Sequence, residues 1–490
     1  MLRKVIALFT CIPLLLLTNT VYSKDVHKDD ELESIYYIMI DRFNNGTGSN
    51  DFEVNVKDMD AFYGGDFQGI IDKLDYIKEM GFTTINLSPI FNNDINGYDG
   101  NSIIDFNETE EHFGTKKELQ TLIEKAHDKQ LSVIVDVNFL YTSSHHPWLN
   151  DSSKVGWYLN RNDERPRLNL KNEEVQQYFI DTATRWIKDT DIDGFRFVQL
   201  EDIPLSFLRD FVPNVQKVKS HLILLGETSD RNKGNEWREL GIENVADLTL
   251  TRSFIETFSK YDQSFRIINQ YVLDKSEQQQ PFIKMLDNES TERFTFHIVN
   301  ENMNPGTRWK LALTYLYTTP GQFFMTYGSE IALNGEKPPT NHRFMNFRTD
   351  KELVDHVKKL AELRNENEPL VYGDFEVLYD DNYATIFKRT FENQTNVVVI
   401  NNSSETLNVS IDEEKIAENQ ELKGLLNGHL IREKDGKYTF IIDREESEIF
   451  LLKEKSGINF TYIFVIVGIN ILFLLFMYVV WKKGRKDRVS

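Results

Sequence analysis

Arg196 sits in a short apolar run, Gly194-Phe195-Arg196-Phe197, that follows the helical stretch Val175 to Lys188 and reads as a buried strand. An internal guanidinium without a carboxylate partner is costly. The residue two places on, where that partner would project, is Val198. The layout is that of an Arg–carboxylate pair with the carboxylate missing. Other acids close other apolar runs: Asp136 ends Val133–Asp136, Glu227 follows Leu225-Gly226, and Asp287 follows Ile283–Leu286. A second chemical cluster lies nearer the N-terminus. Asn45, Thr47, Asn50 and Asp51 share a glycine-containing loop, and Asp66 follows Gly64-Gly65. Oxygen ligands only, several from one loop, suit a hard cation. The same residues also read as an Asx-rich turn with no metal.

The elements that must position these residues alternate. Ile35–Ile40, Thr84–Leu87, Val133–Asp136, Gly194–Phe197, Ile223–Gly226, Val245–Asp247, Ile283–Leu286 and Phe323–Thr326 are short apolar runs. Amphipathic stretches such as Gly69–Met80 and Lys116–Lys129 separate most of them. Eight strands with intervening helices predict an α/β fold, a parallel (β/α)8 TIM barrel. Its site would lie at the C-terminal ends of the strands, where Asp136, Glu227 and Asp287 fall. From Gly373 to about Lys453 short alternating strands predict an antiparallel β-domain. The expected division is a barrel over 24–367, a short excursion over about 139–168, the β-domain over 368–453 and a linker over 454–461.

Both ends of the chain read as targeting signals. Residues 1–23 carry Arg3 and Lys4, then the apolar run Val5 to Leu17, then Val21-Tyr22-Ser23, the pattern of a cleaved secretory signal. The single cysteine, Cys11, falls within it, so the mature chain would have no disulfide. Residues 462–481 are almost wholly apolar, and at ~1.5 Å per residue they span ~30 Å, a bilayer core. Lys482, Lys483, Arg485, Lys486 and Arg488 in the tail, 482–490, follow directly and predict a cytoplasmic C-terminus. The bulk of the chain is thus expected outside the cell membrane, held by one span. The net charge of −21 argues against nucleic acid as a partner.

Seven stretches together resemble the alpha-amylase family of glycoside hydrolases. They are Asp41-Arg42-Phe43; Gly64-Gly65-Asp66-Phe67-Gln68-Gly69-Ile70 with Leu87-Ser88-Pro89-Ile90-Phe91; Val133-Ile134-Val135-Asp136-Val137; Asp193-Gly194-Phe195-Arg196; Leu225-Gly226-Glu227; Leu286-Asp287-Asn288; and Pro320-Gly321 with Tyr327-Gly328-Ser329-Glu330-Ile331. They fall in the family's order. The segment from Gly373-Asp374-Phe375 resembles the β-domain that follows the barrel in this family.

The resemblance implies three catalytic carboxylates, of which one survives. Glu227 stands at the acid/base position, but the nucleophile position is Val198. The family's Asp-Asn-His-Asp reads Asp287-Asn288-Glu289-Ser290, so the third carboxylate is Ser290. The supporting positions differ too: Leu140 and Tyr141 replace an Asn-His pair, Asn101 a stacking tyrosine, and Glu201-Asp202 a Lys-His pair. Asp136 and Arg196 remain as substrate-binding positions, and Arg196 is expected to pair with Glu227. Some bacterial members bind calcium with a loop like that of Asn45, Thr47, Asn50, Asp51 and Asp66. The implied role is non-catalytic: a pseudoenzyme that binds a glycan, or the ectodomain of an assembly with a membrane-protein partner. The alternative is a working hydrolase on alpha-linked glucans, with Glu227 as acid and Glu289, Glu201 or Asp202 as a relocated carboxylate.

Overall fold

Seven parallel strands build the sheet that carries the site. They are β1 (Ser34–Ile38), β2 (Thr84–Leu87), β3 (Ser132–Val137), β4 (Gly194–Phe197), β5 (Ile223–Thr228), β6 (Asn244–Asp247) and β7 (Phe323–Thr326). The structure is a computed structural model and describes residues 34–95, 97–230, 233–273, 282–455 and 460–486. The secretory signal expected over 1–23 and the end of the basic tail, 487–490, lie outside the described residues. Across the sheet the order is β6-β5-β4-β3-β2-β1-β7, with every pairing parallel.

The two edge strands are joined through Ile283 and Lys284. Ile283 bridges Ala246 of β6, and Lys284 bridges Phe323 of β7. Lys284 O accepts from Phe324 N–H at 2.8 Å. The ring therefore closes in eight segments, but the seventh is two bridged residues in place of the four-residue strand expected over Ile283–Leu286. Past it, side-chain bonding replaces the ladder: Thr326 Oγ1 donates to Asp287 O at 3.0 Å.

The helices between strands follow their local signals. Residues Lys116–Asp128 (α1) open on a reciprocal capping box between Thr115 and Glu118. Residues Glu173–Thr190 (α2) open on the Asn172 side chain and close on Asp191 in the left-handed region, φ 59°. The amphipathic stretch expected over Gly69–Met80 is two short helices, Phe67–Ile71 and Leu74–Glu79. The excursion after β3 is as small as expected, two 3-10 turns and a two-stranded pairing of Tyr158–Asn160 with Arg167–Leu168.

One glycine sets the geometry beneath the site. A Cβ on Gly194 would lie 1.8 Å from Ile223 O, so only glycine lets β4 run this close to β5. The register then places Arg196 opposite Asp136 on one side and Leu225 on the other.

The C-terminal domain is an antiparallel sheet with its own buried core. Its strands are β8 (Asp374–Asp381), β9 (Ala384–Phe391), β10 (Gln394–Asn401), β11 (Leu407–Asp412), β12 (Gln420–Gly424), β13 (Leu430–Arg432), β14 (Lys437–Ile442) and β15 (Glu446–Glu454). Six pair in the order β8-β9-β10-β15-β12-β13, and β11 pairs with β14. Buried Arg389 of β9 ties this domain to the barrel by donating to Thr318 O at 2.5 Å and Gly373 O at 2.9 Å. A last helix, Phe460–Lys486, contains an 18-residue window, Phe464–Trp481, of mean hydropathy 2.5, long and apolar enough to cross a membrane.

Candidate active site

Arg196 is fully buried at the C-terminal end of β4 and is not short of partners. Nη1 donates to Asp136 Oδ2 at 3.0 Å. Nη2 donates to Glu227 Oε1 at 2.6 Å and to Glu289 Oε1 at 2.8 Å. The missing partner expected at position 198 is thus supplied three times over from other elements. Asp136 is its register neighbour on β3, and Glu227 comes from β5 beside it. Glu289 comes from the turn beyond the two bridged residues. The rings of Tyr37 and Phe324 flank the guanidinium, 5.3 Å and 5.1 Å from its carbon.

Because Glu227 and Glu289 bond one nitrogen, at 2.6 Å and 2.8 Å, their nearest oxygens can be no more than about 5.5 Å apart, and the two carboxyl groups of a retaining glycosidase stand ~5–5.5 Å apart. Two of the three acids are raised in pKa. Burial pushes Asp136 up to about 7, against the pull of Arg196, and the Glu289 and Glu227 charges push the same way. Burial raises Glu227 as well, again with Arg196 opposing. Burial works against the Arg196 charge, but the three carboxylates outweigh it and hold the guanidinium well above its usual value. Asp136 and Glu227 are thus both held above the usual carboxylate range.

The turn that carries Glu289 is stitched by its own side chains. Ser290 donates from N and Oγ to Asn288 Oδ1, both at 3.0 Å. This turns the Asn288 amide so that Nδ2 donates to Glu227 Oε2 at 3.1 Å. The exposed residue at the third carboxylate position therefore fixes Asn288, which touches Glu227. Val198 is half-buried, and its backbone N–H continues the β3 ladder to Val137 O at 3.3 Å.

The other two candidate carboxylates do not reach Arg196. Glu201 accepts from Thr228 Oγ1 at 2.9 Å, Ser229 N at 2.5 Å and Asp230 N at 3.1 Å. Although what burial it has opposes this, those bonds hold its carboxyl below the usual range. Asp202 is exposed and pairs with Arg167 at 3.4 Å. Tyr141 lies under the guanidinium groups of Arg165 and Arg167, 4.9 Å and 5.8 Å from its ring centre. Leu140 is core, and Asn101 accepts from Asn138 Nδ2 at 3.1 Å.

In the oxygen-rich loop Asn45 and Asp51 meet. Asn45 Nδ2 lies 2.8 Å from Asp51 Oδ1, and a Cβ on Gly64 would fall 2.6 Å from that same oxygen. Asn50 Oδ1 is buried without a hydrogen-bond partner. Asp66 accepts from the backbone of Gly46, Thr47 and Gly69. Burial raises its pKa, and the Asp51 charge adds to this. Thr47 Oγ1 is engaged with Ser49 Oγ at 3.0 Å. Asn45, Asn50, Asp51 and Asp66 carry oxygens of the kind a calcium ion takes, but Asp66 spends both of its own on backbone N–H groups.

Four residues at the site carry no signal in the strand pattern. Asn86 of β2 donates from Nδ2 to Asp136 Oδ1 at 2.7 Å. Asn288 lies inside a recognisable motif, but its bond to Glu227 depends on Ser290. Asn341 and His342 come from a loop after β7 with no apolar period, and both bond the backbone of Glu289. Only the polar pair itself, between Thr340 and Arg343, could have drawn attention to them.

Comparison with known proteins agrees over most of the chain. The family model described as alpha amylase, catalytic domain, matches residues 37–164 and 148–346, and that of the alpha-amylase C-terminal domain matches 373–450. A cyclomaltodextrinase of Thermoanaerobacter pseudethanolicus is 31% identical over 434 residues, 79% of this chain and 74% of that one. An intracellular maltogenic amylase of Bacillus subtilis is 28% identical over 434 residues, 79% of this chain and 71% of that one. Among solved structures, an Anoxybacillus alpha-amylase superposes with a TM-score of 0.83 at 44% identity, covering 87% of this chain and 99% of that one. The alpha-amylase of Geobacillus thermoleovorans complexed with acarbose gives 0.80 at 38% identity, covering 86% of this chain and 99% of that one.

Proposed function

The chain belongs to the alpha-amylase family of glycoside hydrolases, and from that premise we propose that it hydrolyses alpha-linked glucans with Glu227 and Glu289 as its carboxyl pair. The observation that carries this is the shared Arg196 nitrogen, which keeps the two carboxyl groups beside one another and so supports their reading as a pair. Relatives named cyclomaltodextrinase and maltogenic amylase, and an alpha-amylase that takes acarbose, support the substrate class.

The steps follow from the positions. Glu227, its pKa raised by burial, gives its proton to the glycosidic oxygen as the bond to the anomeric carbon breaks. Glu289, bonded to Arg196, attacks that carbon through a carboxylate oxygen and forms a glycosyl ester. Glu227, now ionised, takes a proton from water, whose oxygen displaces Glu289 and restores both groups. Arg196 orients Glu289 throughout, and Asp136, buried on Nη1, holds Arg196 in place. Calcium at Asn45, Asn50, Asp51 and Asp66 would brace the loop after β1 and takes no part in these steps.

A specific observation favours a second reading, a glycan-binding protein without turnover, acting alone or beside a membrane-protein partner. Positions 198 and 290 hold Val and Ser, neither of which ionises as a carboxylate. Residues of a catalytic unit act together, so the rate expected of the first reading is several powers of ten below a full carboxylate triad. In either case the Phe464–Trp481 segment tethers the chain to a membrane, with the barrel and β-domain outside. The test is hydrolysis of an activated maltooligosaccharide by the purified protein and its Glu227→Gln and Glu289→Gln variants. Slow turnover lost in both supports the hydrolase. A folded wild-type protein that binds maltoheptaose without cleaving it supports the binding protein.

A further inference from the structure

Glu289 hangs from a turn held in the ring by only two bridged residues, yet its side chain makes two bonds to Arg196 Nη2, at 2.8 and 2.9 Å. Its own backbone oxygen is held from outside the turn. Glu289 O accepts from Asn341 Nδ2 at 2.9 Å and meets His342 Nε2 at 2.7 Å. Asn341 Nδ2 also donates to Thr291 O at 2.8 Å, so one amide spans the turn. On the far side of the imidazole, Nδ1 meets Tyr98 Oη at 3.0 Å.

The direction of this chain of bonds is fixed by chemistry. A backbone oxygen only accepts, so His342 Nε2 must carry a hydrogen. Burial pushes His342 down to about 4, so the ring is neutral at pH 7 and Nδ1 is bare. Burial also raises Tyr98, whose hydroxyl keeps its proton and donates to Nδ1. The order is therefore Tyr98 O–H to His342 Nδ1, and His342 Nε2–H to Glu289 O. The tyrosine is itself held. The guanidinium carbon of Arg42 lies 3.7 Å from the Tyr63 ring centre and 3.8 Å from that of Tyr98. Arg42 Nε donates to His342 O at 3.0 Å, so the same cation fixes both ends of the Tyr98–His342 contact.

We infer that His342, as its Nε2–H tautomer, and Asn341 are positioning residues that hold the Glu289 backbone so that its carboxylate stays on Arg196. The inference rests on the reading of Glu289 as a working carboxylate. His342→Ala should lower kcat on the order of 100-fold, the cost of a displacement of about 1 Å, with KM within about threefold. His342→Gln keeps an N–H at the Nε2 reach and should return kcat to within about tenfold of wild type. His342→Asn, whose amide falls short, should behave like Ala. In a Glu289→Gln background His342→Ala should have no further effect, because it acts through Glu289. Nitrogen NMR of the wild-type protein at pH 7 should show the Nε2–H tautomer.

An Nδ1–H tautomer, a charged ring, or additive effects of the two substitutions would overturn the inference. If the wild-type protein shows no turnover, the hydrolase reading falls by itself. The same cycle read in maltoheptaose affinity, or in melting temperature where none binds, then decides the positioning role together with the tautomer.

Discussion

The charge expected beside Arg196 on its own strand arrives from three other places, and each arrival has a consequence. Removing one acid leaves the others to neutralise the guanidinium, so Glu289→Gln and Glu227→Gln should fold, and each should lower kcat at least ~100-fold. Adding a fourth acid does the opposite. Val198→Asp would crowd the cluster, raise the neighbouring pKa values and lower the melting temperature. The double variant Val198→Asp, Ser290→Asp should not reach the rate of a full triad, since Ser290 now fixes Asn288 and the stacking position holds Asn101. Asp136 makes the cluster pH-sensitive. Its folded value, about 7, stands above an unfolded value of ~3.9. Its contribution to stability is therefore full below about pH 4 and is lost as pH rises through about 7. Denaturant titrations of wild type against Asp136→Asn should show a steeper fall in wild type.

At the level of elements, the apolar runs point to the barrel, because each is short, bounded by turn residues and buried on both faces. The seventh run is legible as an apolar segment and illegible as a strand, since Ile283 and Lys284 bridge while Met285 and Leu286 do not. Glu227, Asp136 and Arg196 are legible because strand ends in a barrel converge. Which acid meets which nitrogen is not, because Glu289 lies 93 residues from Arg196 and reaches it only through the closed ring. Asn341 and His342 are silent because their loop has no period to betray a facing surface. The loop after β1 carries its own expectation. If calcium sits at Asn45, Asn50, Asp51 and Asp66, chelation by EGTA should lower the melting temperature, and Asp51→Ala should abolish that response.

Across the whole molecule, barrel and β-domain share buried cations. Arg389 of the β-domain directs its donors to carbonyls of Thr318, Leu370, Val371 and Gly373. Arg308 of the barrel donates to Lys260 O and to the side chains of Asn402 and Glu445. Arg389→Leu would orphan several of those carbonyls and should cost more than about 3 kcal/mol. Calorimetry of the wild-type protein should show one transition for both domains, and the variant an early one. The two-residue closure between β6 and β7 has a further consequence. A ring fastened by single bridges at one place has a seam. Amide exchange should begin there, before the long ladders of β1 to β5 open. The residues beyond the seam, Asn288 to Ser290, belong to no ladder. They are the part of the ring that can be rewritten at least cost to the sheet, and they now supply Arg196 with a carboxylate that its own strand lacks.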